Sequence, residues 1–592
     1  MATDAALLFS SAERHFTGKR FEAARADLLT LGKLVGENAA VLHLLGLVEK
    51  GAGRLDAAEK ALARAGVLAP RDPQVHNNHA NVLGALGRVE RALAAYERAL
   101  KAHPGFAEAR TNRALLLHKA GRPDEAREDL RKLLAAAPNH ARAWNALGGV
   151  ERDAGDHDAA MRAFERASAV RPNDPIAASG RARAALEAGD TSAPDLFATA
   201  LRLRPGEPSL VIGLAEALHA AGDPNGPSLL ADFVAAHPRE AEAHRVLARM
   251  RWEAGDATGF TRDLDKAVAT HPAEPDLRRV LIETLAGTDH LEGAADAARA
   301  ARVALPDQPD FPLREAIHSG ESGDHVRAEA AFGAVMPDVP LRGLHEALHR
   351  LRIGQVERAA TLLDEERTAT PESVAAWAYS GLAWRLLGDS RAAWLHEQDG
   401  LIETRPLHLS STELAEAADV LRQLHTTSAF PVGLSLRGGT QTRGALFARR
   451  HPVIRRVADS IRQVVADHWA GLPPHDPEHP LLRHRLKAPH ITGSWSVRLT
   501  ASGFHVSHIH TQGQLSSACY LVVPDETRSN DDGARAGWLE IGRPPHDLGL
   551  DPIRTIQPQP GTLTLFSSTL FHGTRPFSHG ERLTVAFDVA AH

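Results

Sequence analysis

Eleven prolines recur at a nearly constant step, and they dictate how most of this chain folds. Pro70, Pro104, Pro138 and Pro172 stand 34 residues apart. Pro205, Pro238, Pro272 and Pro306 continue at steps of 33 or 34, and Pro337, Pro371 and Pro406 complete the ladder after one shorter step. Proline cannot continue a helix, so each rung marks a place where one helix stops and the chain turns toward the next.

The interior of each unit agrees. Between Asn139 and Pro172, Trp144, Leu147 and Gly148 form a W-x2-L-G element, and Ala159, Phe164 and Ala167 fall where a second helix needs small and aromatic packing residues. Between Arg71 and Pro104 the scheme returns as Leu83, Gly84, Ala92, Tyr96 and Ala99. This period and pattern resemble the tetratricopeptide repeat (TPR), a helix–turn–helix unit of 34 residues. Each helix pair has one apolar face that it cannot bury alone, so neighbours stack and share a continuous core. The expectation is an all-α TPR superhelical solenoid over residues 1–406, about eleven or twelve repeats long, whose concave surface holds a protein or peptide partner. Any single Trp, Leu or Ala within it reads as scaffold.

A chain of 592 residues exceeds what one core can organise. The net charge of −6 is mild for that length and gives no support to a general nucleic-acid-binding role. The single cysteine, Cys519, excludes an intramolecular disulfide and a multi-cysteine zinc site, and it reads as a small buried hydrophobe. The first residues, MATDAALLFSSAERHF, read as an amphipathic helix and not as a signal peptide. No window approaches the roughly 18 consecutive apolar residues needed to span a bilayer, so a cytoplasmic protein without membrane contact is expected. There are 33 histidines, most of them scattered through the helical part, so spacing is more informative than number.

Beyond Pro406 the period stops. Residues 407–431 read as a linker region, and a helix is expected from about Ala448 to Ala470. From Ser494 the pattern becomes short β segments divided by Gly, Pro and Asp: SWSVRLTA, SSACYLVVP, GWLEIG, GTLTLFS and ERLTVAFDVAA. So many short strands imply a sandwich or jelly roll, too small for the paired nucleotide-sugar domains of a TPR-bearing glycosyltransferase.

Three histidines in this region carry chemistry. His508 and His510 are two apart, so on an extended segment they point the same way. His572 follows at the end of the apolar run GTLTLFSSTLFHGT. Three side-chain ligands on one side of a metal leave the opposite positions open for cosubstrate and O2; imidazole suits Fe(II) but also Zn, Cu or Ni. Ten residues after His572, Arg582 begins the strand ERLTVAFD, with Thr584 on the same face. A guanidinium near the metal holds a carboxylate by two parallel hydrogen bonds, and the Thr584 hydroxyl adds a third. Open metal positions beside a carboxylate clamp suit 2-oxoglutarate, a keto acid with a distal carboxylate.

On the segments SLRGGTQT, GSWSVRLTASGFHVSHIHTQGQLSSACYLVVP, GWLEIGRPP and PGTLTLFSSTLFHGTRPF…ERLTVAFDV, residues 432–592 resemble the 2OG-Fe(II) oxygenases found behind TPR arrays in bacteria. The resemblance implies a mainly-β double-stranded β-helix (jelly-roll) domain, Fe(II), O2 and 2-oxoglutarate. It places the metal ligands at His508, His510 and His572, and the 2-oxoglutarate clamp at Arg582. Better-studied members of the wider superfamily carry His-x-Asp/Glu. Here His510 stands at the acidic position, so the site has one more positive charge, and His505 is a further ligand candidate or a partner behind a ligand.

Tyr520 and Ser517 are expected to face the barrel interior, as packing residues ahead of cosubstrate contacts, and Trp495 and Trp538 to sit in the core ahead of serving as substrate platforms. The six arginines between Arg437 and Arg456, with no acid among them, read as a solvated face, or alternatively as a domain-docking or acidic-substrate surface. The leading functional expectation is a dioxygenase hydroxylating a protein or peptide side chain that the solenoid captures, tethering raising its local concentration. The alternatives are a three-histidine dioxygenase acting on a small molecule, and a TPR adaptor whose β domain is catalytically silent.

Overall fold

The computed structural model of the chain describes residues 2–425, 433, 435–442, 444–449, 451–528, 535–545 and 548–591. Twenty-four helices lie between Ala2 and His396, which makes twelve helix pairs. They form a TPR solenoid, followed by a mainly-β jelly-roll domain. The chain divides into two compact units, residues 1–184 and 185–592; the second contains the later repeats together with the β domain.

Two local devices explain the repeat pattern. The residue six positions after a ladder proline returns a hydrogen bond to that proline's carbonyl, at 2.8–3.2 Å, from His76, Arg110, Trp144, His244, Arg278 and Trp377. The tryptophan of W-x2-L-G thus closes the turn that proline opens. The glycine of the same motif makes room for the neighbouring helix: a Cβ on Gly148 would come 2.7 Å from the Phe164 ring, too close to tolerate. Within each pair the first helix ends on a residue with positive φ, a conformation that costs L side chains energy. Ten of these twelve turns use glycine, and the exceptions are Lys19 and Asp289.

The last rung of the proline ladder is not a repeat boundary. Pro406 ends strand β1 (Ile402–Pro406), which pairs antiparallel with β7 (Thr562–Ser567) at the edge of a six-stranded sheet. An edge strand tolerates a residue that cannot donate to a ladder, so the 35-residue step from Pro371 was coincidence with the period. Nor does the stretch 407–431 behave as a linker where it is described. It holds a helix, Ser411–Leu424, started by a capping box between Ser410 and Glu413, and its Ala417, Ala418 and Leu421 are buried in the β domain's core. Residues 426–431 of that stretch lie outside the described residues.

The remaining strands are β2 (Leu436–Gln441), β3 (His490–His505), β4 (Leu515–Val522), β5 (Leu539–Ile541), β6 (Arg554–Ile556), β8 (His572–Thr574) and β9 (Arg582–Ala590). The large sheet has the order β1-β7-β4-β9-β3-β2 and the small one β6-β5-β8, with antiparallel pairing throughout. Alternation along β9 assigns its two faces. Leu583, Val585, Phe587 and Val589 join Leu515, Cys519 and Leu521 of β4 in packing against the helix Pro452–Gly471, which lays down Val457, Ile461, Val464 and Val465. Arg582, Thr584, Ala586 and Asp588 face the opposite way, into a cavity. Among the described residues, no helix is long and apolar enough to cross a membrane.

Candidate functional site

The cavity has a volume of about 540 Å3. After β3 ends at His505 the chain crosses toward the small sheet, where His508 forms an isolated bridge with His572: each backbone N–H donates to the other's carbonyl, at 3.0 and 2.9 Å. His572 is fixed in turn as the first residue of β8, opposite Ile541 of β5. These ladders bring His508, His510 and His572 together, with one ring nitrogen of each within 4.8 Å of the others.

The hydrogen-bond pattern fixes which nitrogens face inward. Nδ1 of His508 donates to the Val506 carbonyl at 2.9 Å, Nδ1 of His572 to the Leu570 carbonyl at 3.1 Å, and Nδ1 of His510 to the Asp588 carboxylate at 2.5 Å. Carbonyl and carboxylate oxygens only accept, so the ring protons sit on Nδ1, and in the neutral rings Nε2 carries a lone pair. Nε2 of His508 and of His510 are nevertheless 3.0 Å apart. At that spacing one cation can accept a lone pair from both rings. Burial, reinforced by the neighbouring imidazoles, pushes His572 well below its ordinary value and His508 down to about 3, so both stay neutral and able to ligate. The donor set therefore fits a metal ion, each ring oriented by a second partner as metal-bound histidines usually are.

His505 stands apart from this trio. Its ring stacks on His508 with centroids 5.8 Å apart, and Nδ1 lies 3.1 Å from the Ser435 hydroxyl, which also approaches His508 Nε2 at 3.2 Å. It is a neighbour behind the cluster.

Arg582 is 3% exposed. It donates to the Gly537 carbonyl at 2.7 Å and its guanidinium stands 5.1 Å from the Tyr520 ring centre, with no carboxylate paired to it among the described residues. Burial lowers its pKa from the ordinary arginine value, the mark of a charge held away from water. Such a charge is costly without an anion. The Thr584 hydroxyl, also on the cavity wall, makes only a long contact of 3.5 Å to the Val497 carbonyl. Both residues therefore keep hydrogen-bonding capacity for an anionic ligand.

Other expectations resolve individually. Tyr520 faces Arg582, and its buried hydroxyl, near Arg582 and Thr564, has no hydrogen bond of good geometry. The sequence favours packing for it over cosubstrate contact, and in the fold its polar end lies beside a buried guanidinium. Ser517 is inserted in the ladder between β4 and β9, accepting from Phe587 N–H at 2.8 Å and donating to Phe587 O at 2.7 Å. Trp495 lies 5.5 Å from His510 and lines the cavity, while the Trp538 indole donates to the Thr527 carbonyl. Cys519 is buried and its thiol is pushed up to about 12, an unreactive group. Of the arginine-rich stretch, Arg437 reaches Asp289 at 2.6 Å and Arg456 reaches Glu416 at 2.7 Å; Arg443 and Arg450 lie outside the described residues.

The cavity has one wall from the repeats. Ala286, Gly287 and Asp289, at the turn closing the helix Pro275–Gly287, line it alongside Arg437 and Gln441 of β2. Gly433 N–H donates to the Gly287 carbonyl at 2.7 Å, which stitches the turn to the β domain.

Three convergent imidazoles and a buried arginine on the wall of one jelly-roll cavity form a donor set that fits a metal ion and an anion. Residues 493–588 match the family described as "Putative 2OG-Fe(II) oxygenase", and residues 77–141, 119–167 and 145–208 match the tetratricopeptide repeat. The chain thus carries TPR repeats and a C-terminal domain of that oxygenase family. Among solved structures it is similar to a tetratricopeptide repeat protein from Parabacteroides merdae, at 19% identity over 47% of this chain and 98% of that one, with a TM-score of 0.35. PilW, a type IV pilus biogenesis factor, matches at 20% identity over 35% of this chain and 98% of its own, with a TM-score of 0.33. MamA from Desulfovibrio magneticus matches at 21% identity over 29% and 98%, with a TM-score of 0.27. No curated protein matches the chain.

Proposed function

We propose that the protein is an Fe(II)- and 2-oxoglutarate-dependent dioxygenase that hydroxylates a protein or peptide side chain presented by its repeats. The observation that carries this reading is the presence, in one cavity of about 540 Å3, of three convergent imidazoles and a buried arginine with no carboxylate partner among the described residues. His508, His510 and His572 would hold the iron. Arg582 would take the distal carboxylate of 2-oxoglutarate, with the Thr584 and Tyr520 hydroxyls as further donors. When bound, the metal and keto acid supply O2 activation, and the keto acid is decarboxylated to succinate. The chain's own part is to orient three imidazoles through their Nδ1 partners, to hold the cosubstrate by a fork of fixed geometry, and to wall the site from water with Trp495, Val497 and Ile509.

Two observations favour this reading over its alternatives. A three-histidine dioxygenase without 2-oxoglutarate has no use for a cation buried in the cavity, and a silent adaptor has no use for the intact trio. The repeat turn at Ala286–Asp289 forms part of the cavity wall, so a segment lying on the adjacent repeats has a short path to the site. The test is to incubate iron-loaded protein with 2-oxoglutarate in air and to measure succinate with and without cell lysate, together with mass shifts of 16 Da in lysate proteins. Succinate dependent on iron, rising with lysate, is expected. No succinate under either condition rules the activity out.

A further inference from the structure

The three imidazoles are not equivalent. His508 and His572 each donate Nδ1 to a backbone carbonyl two residues away, a neutral acceptor. His510 alone meets a carboxylate, that of Asp588, which lies 78 residues further along the chain. Asp588 is the last inward-facing residue of β9, in the row Arg582, Thr584, Ala586, Asp588. Its cross-strand neighbour on β3 is Gly493. Trp495 covers the His510 ring at 5.5 Å, and both His510 and Asp588 have side chains 13% exposed, so the pair is largely withdrawn from solvent.

We propose that Asp588 is the positioning residue that supplies, through His510, the negative charge that this three-histidine site lacks among its direct ligands. The inference rests on the metal-site reading above. A site of three neutral imidazoles offers no anion to a divalent cation. A carboxylate one hydrogen bond behind a ligand places a full negative charge nearby, holds the ring in the Nδ1–H tautomer and increases the donor strength of Nε2. His510 with Asp588 behind it therefore acts as an extended anionic ligand, occupying the position where the wider superfamily uses Asp or Glu directly.

The experiment is anaerobic titration of the full-length metal-free protein with Co(II), read by equilibrium dialysis and by the visible d–d absorption of the bound ion. Asp588→Asn keeps the size and a hydrogen-bond acceptor but removes the charge, and Asp588→Glu restores the charge. Removing such a partner usually weakens metal affinity by about tenfold to a hundredfold. That loss is expected in Asp588→Asn, with a shifted absorption band and at least partial recovery in Asp588→Glu, while thermal melts of the metal-free variants stay near wild type. Unchanged affinity and spectrum in Asp588→Asn overturn the proposal, as does an equal loss in both variants accompanied by a lowered melting temperature, which identifies a purely structural role. Failure of the site reading looks different: wild type then takes up no Co(II), or takes it up equally well in His572→Ala.

Discussion

Arg582 is a cation held in the protein interior with no carboxylate partner among the described residues, a state that costs several kcal/mol unless a ligand supplies the partner. If 2-oxoglutarate is that ligand, Arg582→Ala retains metal but loses cosubstrate. Truncating one partner of a desolvated charge pair costs on the order of 2–5 kcal/mol, which is roughly a thirtyfold to several-thousandfold rise in Kd. Arg582→Lys should recover only part, because a point charge cannot reproduce the fork. Calorimetric titration of 2-oxoglutarate into anaerobic iron-loaded protein measures this, and unchanged affinity in Arg582→Ala would return the small-molecule dioxygenase to first place. His572→Ala should separately lose most of the bound iron by metal analysis, since two imidazoles compete poorly with water. At this scale the sequence was informative where the relation is local. The two-residue step from His508 to His510 and from Arg582 to Thr584 sets a shared direction wherever the segment is extended. The pairing of His510 with Asp588 and of Arg582 with Tyr520 is carried by strand register across tens of residues, and no spacing reports it.

Among secondary-structure elements, the repeats were legible because each one restates the same local rules, while Pro406 shows how a period misleads at its end. The helix Ser411–Leu424 escaped notice for a different reason: its buried face is mostly alanine, Ala417 and Ala418 with Leu421, too weak an apolar stripe to separate from a polar connection. The turn at Asp289 is the informative irregularity. Ten other repeats place glycine at this left-handed position, whereas Asp289 accepts φ +64 and puts its carboxylate on Arg437 at the cavity wall. Glycine would relieve roughly 1 kcal/mol of backbone strain, and the half-exposed ion pair returns at most about 1 kcal/mol. Asp289→Gly should therefore leave the stability of the chain within about 1 kcal/mol of wild type, as urea unfolding would measure, while lowering lysate-stimulated succinate formation more than the unstimulated rate. A loss of stability well beyond that range would make the aspartate a structural residue and remove it from the substrate side of the site.

Over the whole second unit, residues 185–592, the repeats and the jelly roll share buried polar contacts, so they should unfold together and respond together to acid. The seam is made by Arg385, which donates to the carbonyls of Gly542 and Asp551, by the Trp394 indole on Asp476 at 2.9 Å, and by two histidines. His396, 4% exposed, meets the Thr569 hydroxyl through Nε2 at 3.0 Å, and His479 donates Nε2 to the Leu395 carbonyl at 3.1 Å. Burial pushes His396 down to about 3 and His479 to about 4, so both are neutral in the folded protein over most of the working range. In the unfolded chain they regain an ordinary value near 6.5. The unfolded state therefore binds more protons than the folded state below about pH 6.5, and the stability these groups contribute is present above that pH and lost as pH falls through it. Each histidine that stays neutral in the fold adds a slope of about 1.4 kcal/mol per pH unit between its two values. Urea unfolding of the full-length protein at intervals from pH 7.5 to 4.5, followed by tryptophan fluorescence, should show stability falling with acid. His396→Gln, which preserves a donor for Thr569 and cannot titrate, should lower stability at pH 7.5 through poorer packing against Gly381, yet flatten the acid slope by about one proton's worth. A variant that keeps the wild-type slope would mean that His396 is protonated in the folded state, and the neutral buried seam would have to be abandoned.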